Sequence, residues 1–176
     1  DVSRWEKVMK RIRLLNKNFP MKNPKCDDVK FQRSMEKDQI ESKDLFTAIR
    51  DSFIDQGLVF FGGYANSLYS RYMPKKYGRT IAKIPDFDVL AMDPKKAAEL
   101  TKERLEEQDI KNIKIIEKAG VGEIIAPHIE LNVDGETVAF IYKPLACHSY
   151  NIIHAGGKKI KVATIDTMLS LYLAFI

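Results

Sequence analysis

One order of residues constrains this chain more than any other. An apolar run, Leu58-Val-Phe-Phe61, meets Gly62-Gly63, then a stretch of helical composition, then a second apolar run carrying Asp86 and Asp88. The two acids stand two apart on a predicted strand, Ile84 to Met92, so both carboxylates leave one face while Phe87 and Val89 enter the opposite layer. Side by side they repel, and a cation between them relieves the cost. Hard oxygen ligands on a rigid strand suit Mg²⁺ bound jointly with substrate phosphates, the arrangement of two-metal catalysis. Asp-x-Asp alone also describes an ordinary exposed strand end. The glycine pair narrows the choice: missing Cβ atoms let a phosphate approach the backbone, and the following helix offers free amides and the positive end of its dipole.

The rest of the pattern places this unit in an α/β (α+β) domain with a mixed, partly antiparallel sheet and flanking helices. Ser42 is positioned to cap a helix in which Leu45, Ile49 and Phe53 share a face, and Gly57 sits where such a helix ends. After Gly63, Tyr64 to Tyr72 reads as helix. A basic loop with Lys75, Lys76, Arg79 and Lys83 leads into the acidic strand, whose Pro85 is tolerated near its start. Asp93-Pro94 supplies an N-cap and a first helical position, for a helix to about Gln108. Ile110 to Ile116, Ile124 to Val133 and Thr137 to Tyr142 read as strands, with Asp134-Gly135 a tight hairpin turn. Gly156-Gly157 marks another turn. A closing helix, about Ile165 to Ile176, is apolar enough to need a surface beyond the written residues, and Asp166 falls at its start.

Length and charge set the domain organisation. The 176 residues, 45% hydrophobic, suffice for one core with an appended arm. Trp5, Val8, Met9, Ile12 and Leu15 recur at helical spacing among Lys7, Lys10, Arg11, Arg13 and Lys17, describing an amphipathic basic helix that Pro20 and Pro24 bring to an end. Residues 1–30 therefore form a basic arm and connector, and 31–176 the catalytic domain. Of 29 Lys and Arg and 24 Asp and Glu, the arm holds nine and four, leaving 20 against 20 elsewhere. Such an arm suits a polyanion, or is a solvated basic helix. No run approaches the ~20 apolar residues of a membrane span and the first residues lack a signal peptide's apolar region, which reads as a soluble intracellular protein with no membrane partner. Cys26 and Cys147 show no metal or disulfide spacing.

The Gly-Gly turn, helix and Asp-x-Asp strand resemble the DNA polymerase beta-like nucleotidyltransferase superfamily. The wording Phe60-Phe-Gly-Gly-Tyr-Ala65 with Ile84-Pro-Asp-Phe-Asp-Val-Leu90 is similar to the poly(A) polymerase catalytic subunits of large nucleocytoplasmic DNA viruses (poxvirus and mimivirus). So are Phe140 to Asn151 and Lys161 to Phe175, and the resemblance spans about residues 45–176. It implies the nucleotidyltransferase fold and template-independent transfer of AMP from ATP to RNA 3′ ends, polyadenylating viral mRNA. It further implies Mg²⁺ or Mn²⁺, a C-terminal domain not contained in this chain, and a place in the host cytoplasm (viral factory) or virion. The implied partners are ATP and the RNA 3′ end, with a second copy or a viral processivity subunit as further candidates. The alternatives are a CCA-adding, uridylyl-adding or small-molecule-modifying enzyme of the same fold, and an inactive RNA-binding or dimerisation subunit.

The superfamily uses a third carboxylate on a neighbouring strand, often four residues after the hairpin glycine, where this chain has Ala139. If Asp134-Gly135 is a two-residue turn, Val133 pairs with Glu136, Leu131 with Val138 and Glu130 with Ala139. Glu130 then shares the site face and is the candidate third catalytic and metal ligand with Asp86 and Asp88. Gly62, Gly63, Tyr64, Asn66 and Ser67 are candidates for the triphosphate, His148 and Tyr150 for base or ribose, and Lys161 for phosphate or primer backbone. The same residues also read as packing, loop and solvated-edge positions.

Overall fold

The computed structural model describes residues 2–19, 39–72, 86–120 and 126–174. The chain divides into two compact units, Asp1–Gln32 and Arg33–Ile176. The first contains helix α1 (Val2–Asn18), which carries an i,i+4 pair, Glu6 with Lys10 at 3.0 Å. Of the connector expected at residues 19–30, everything past Phe19 lies outside the described residues, as does the basic loop with Lys75 to Lys83.

The second unit runs α2 (Gln39–Asp55), β1 (Val59–Phe61), α3 (Gly62–Ser70), β2 (Phe87–Leu90), α4 (Pro94–Glu106), β3 (Ile113–Lys118), β4 (His128–Val133), β5 (Glu136–Tyr142), β6 (Tyr150–Ala155), β7 (Lys158–Ala163) and α5 (Ile165–Ala174). Local chemistry explains most of the boundaries. Gly57 takes φ +70°, and the Leu58 and Gly57 amides donate to the Phe53 and Ile54 carbonyls, closing α2 in a Schellman motif. Asp93 caps α4 through Lys96 N–H at 3.0 Å, with Pro94 at the first helical position. Ser42, expected as a cap, lies inside α2, which begins three residues earlier. Asp134 and Gly135 both have positive φ, 53° and 90°, which a primed hairpin turn demands.

The seven strands form one mixed sheet in the order β3-β4-β5-β2-β1-β7-β6, with β2–β5 and β1–β7 parallel and the other pairs antiparallel. One face is the core: Phe60, Phe87, Val89, Leu131, Ala139 and Ile141 are fully buried with Ile49 and Phe53 of α2 and Ala98 and Leu105 of α4. Burying residues of this size is worth roughly 1.5–3 kcal/mol each against leaving them exposed. The sequence pattern marks the turn between β6 and β7 but neither strand. They pair about Gly156-Gly157, and β7 adds to β1. Among the described residues no helix is long and apolar enough to cross a membrane.

Candidate active site and an adjoining cleft

The register across three strands decides which side chains can meet. Phe61 pairs with Asp88, Asp88 with Phe140, and Phe140 with Glu130, so these residues share the sheet face opposite the core. Asp86 immediately precedes β2, two residues from Asp88. The next row holds Tyr142, Leu90, Val59 and Lys161.

Gly62 follows β1 with φ +69° and lies directly against Asp88; a Cβ there would overlap the Asp88 carboxylate. Glycine is therefore required twice at this position, once by backbone conformation and once by space. The turn starts α3 with Phe61 as an extended N-cap residue that makes no side-chain cap bond, so the first turn of the helix opens beside the carboxylate pair without an N-cap side chain on its amides. Burial pushes the Asp88 carboxyl up, and the neighbouring Asp86 charge adds to it, to a pKa of about 7. Both causes disfavour a second negative charge, and a divalent cation reverses both. Two neighbouring carboxylates are a donor set whose hard oxygens fit Mg²⁺ or Mn²⁺ held jointly with a triphosphate.

The third position differs from the expectation. A bulge between Leu131 and Asn132 places Leu131 opposite Ala139 and Asn132 opposite Thr137, leaving Val138 as the extra residue. The one-residue slip turns every side chain beyond it to the other face. Ala139 consequently faces the core between Phe87 and Leu131, fully buried. Glu130 pairs with Phe140 rather than Ala139, two strand spacings or about 10 Å from Asp88. It forms an ion pair with Lys118 at 3.6 Å. Among the described residues no three His, Cys, Asp or Glu side chains gather to hold a metal ion. Phe140 occupies the place beside Asp88, its ring near Tyr142 and His128.

The other candidates separate into three groups. Tyr64 is core: its ring packs against Phe46, Phe60 and Phe87, and burial raises its hydroxyl pKa. Ser67 donates to the Tyr64 carbonyl at 2.6 Å, a bond within its own helix. Asn66 is exposed and donates to the Tyr172 hydroxyl at 2.9 Å. Tyr172 is not marked by any sequence motif; burial raises its pKa, the Asn66 bond opposes that, and the Asp88 charge adds to it. It thus borders the acidic site from α5, where only its place on an apolar helix is visible in the sequence. His148, Tyr150 and Lys161 meet in a cleft of about 440 Å³ at the opposite ends of β1 and β2, beside Leu90, Met92 and Lys96.

No family model matches the sequence, and no curated protein matches it. Among solved structures, the crystal structure of the Megavirus polyadenylate synthase superposes with a TM-score of 0.62 at 14% identity, over 95% of this chain and 30% of that one. The chain has the nucleotidyltransferase fold. It spans under a third of the length of that viral enzyme.

Proposed function

We infer that this chain is the catalytic domain of a metal-dependent nucleotidyltransferase that transfers AMP from ATP to an RNA 3′ hydroxyl, releasing pyrophosphate. The observation that carries the reading is the seating of Asp88 against Gly62, beside Asp86 and the uncapped start of α3. Asp86 and Asp88 would hold the divalent ions, which when bound would supply Lewis-acid activation of the attacking hydroxyl and charge neutralisation at the leaving pyrophosphate. Gly62 and Gly63 let the triphosphate lie along the α3 amides, and Asn66, hydrogen-bonded to the Tyr172 hydroxyl, follows on the same helix beside the Asp88 charge that Tyr172 feels. The 3′ hydroxyl gives up its proton to solvent and its oxygen bonds to the α-phosphorus as the bond from the α-phosphorus to the α–β bridging oxygen breaks, the bridging oxygen leaving with pyrophosphate. Positioning and charge neutralisation provide most of the rate enhancement. ATP and RNA are chosen over other substrates of this fold because of the likeness to a polyadenylate synthase. A cytoplasmic or virion setting follows from the same choice.

A second reading, an inactive nucleotide- or RNA-binding subunit, is favoured by Phe140 standing where a third carboxylate would complete the site. An RNA-extension assay with each NTP separately, in Mg²⁺ or Mn²⁺, distinguishes them. Extension from ATP, abolished in Asp88→Asn, supports the transferase. Absence of incorporation from any NTP leaves only the second reading.

A further inference from the structure

The cleft that gathers His148, Tyr150 and Lys161 is not part of the acidic site. Its walls come from the start of β1, the end of β2, the start of α4, the segment between β5 and β6, and β7. Met92 lies four residues beyond Asp88, about 13 Å along an extended chain. Lys161 stands one row further along the sheet and two strands over, with Val59 and Leu90 between, both buried. The cleft is chemically two-sided. Lys161 Nζ lies 5.2 Å from the Tyr150 ring centroid, a cation–π contact, and Lys96 brings a second ammonium at the first turn of α4. Neither lysine has an acidic partner among the described residues. The one carboxylate among the described residues of the lining, Asp93, caps α4. Tyr150 keeps 44% of its surface exposed, enough to present ring area to a ligand, and Leu90 and Met92 add apolar surface.

An apolar wall with an aromatic ring and two available ammoniums suits a flat ring carrying an anionic group, and about 440 Å³ is within the range of small-ligand pockets. We propose that this cleft is a second nucleotide-binding site, distinct from the acidic site, which takes one nucleoside monophosphate unit by stacking on Tyr150 and pairing its phosphate with Lys161 and Lys96. The choice of a nucleotide among anionic aromatic ligands rests on the nucleotidyl-transfer reading; the cleft itself does not. The unit arrives as a free mononucleotide or within an RNA strand whose 3′ end reaches Asp88 along the same sheet face.

The test is binding of AMP and of a fluorescein-labelled oligoadenylate to the full chain in EDTA, where no metal-dependent step operates. Lys161→Ala and Tyr150→Ala each weaken binding about tenfold, and Lys161→Arg retains it; unfolding temperatures identify any variant that fails to fold. Binding of both ligands marks a free-nucleotide pocket, and binding of the oligonucleotide alone marks a strand site. No binding of either, or equal binding by Lys161→Ala and Lys161→Arg, overturns the proposal. Because the assay contains no catalytic step, binding without RNA extension sinks the transferase and spares the cleft, whereas extension with unaffected cleft variants does the reverse.

Discussion

At the residue scale, Gly62 and Asp88 define the site together. Gly62→Ala places a Cβ on the Asp88 carboxylate and forces an L-residue into left-handed backbone, so it should cost at least about 1 kcal/mol in unfolding. Displacing the carboxylate by an ångström is expected to lower transfer about 100-fold. Thermal unfolding and RNA extension measure the two effects; an active, equally stable Gly62→Ala contradicts the assigned packing. Asp88 also carries a pH signature. Its carboxyl rises from 3.8 to about 7 on folding, so between those values the metal-free native state keeps a proton that the unfolded chain has released. This contribution is complete below pH 3.8 and is lost as the pH rises through about 7. Asp88→Asn, neutral throughout, should therefore match the metal-free wild type near pH 3.8 and exceed it at pH 8 by a few kcal/mol, to order of magnitude. An equal difference at both pH values would remove burial and Asp86 repulsion as the cause.

At the element scale, the β4–β5 hairpin shows where sequence reading succeeds and where it stops. Asp134-Gly135 specifies the turn because both positions need positive φ, and Val133 opposite Glu136 follows from it. The bulge two pairs on has no residue signature in the sequence: Thr137, Val138 and Ala139 are all compatible with a regular ladder, and only packing of Ala139 between Phe87 and Leu131 places it in the core. That slip removes Glu130 from Ala139's row, while the β2–β5 register puts Phe140 beside Asp88. Phe140→Asp should accordingly restore a third ligand on an adjacent strand and tighten Mn²⁺ binding, on the order of tenfold. Glu130→Gln should leave Mn²⁺ affinity unchanged. Calorimetric titration reads both, and the reverse ranking would return Glu130 to the site. The hairpin of β6 and β7 is hard to read for a related reason: its lysines alternate with Ile160 and Val162, but they look like a charge run unless the Gly156-Gly157 turn is taken as a hairpin centre.

At the scale of the whole molecule, the Gly-Gly and Asp-x-Asp order makes both the fold and the carboxylate pair legible, because each fixes a backbone geometry locally. The separation of the pair from the His148, Tyr150 and Lys161 cleft is not legible, since residues distant in sequence are sorted only by strand order. The charge of the chain is uneven in a way the sequence does state: the whole excess of +5 lies in residues 1–30. Replacing Lys10, Arg11 and Arg13 with alanine should reduce the dependence of RNA affinity on salt by about 0.7 in log–log slope for each RNA phosphate that the arm no longer neutralises; an unchanged slope assigns those side chains to solvent. On the proposed function, transfer by this domain requires joint binding of a divalent cation and a triphosphate at Gly62, Asp86 and Asp88. The most direct test is Mn²⁺ binding in the presence of ATP at pH 8, followed by electron paramagnetic resonance, in wild type and Asp88→Asn. The prediction is a protein-bound Mn²⁺·ATP signal in the wild type that Asp88→Asn abolishes; equal Mn²⁺·ATP affinity in the two proteins would contradict it.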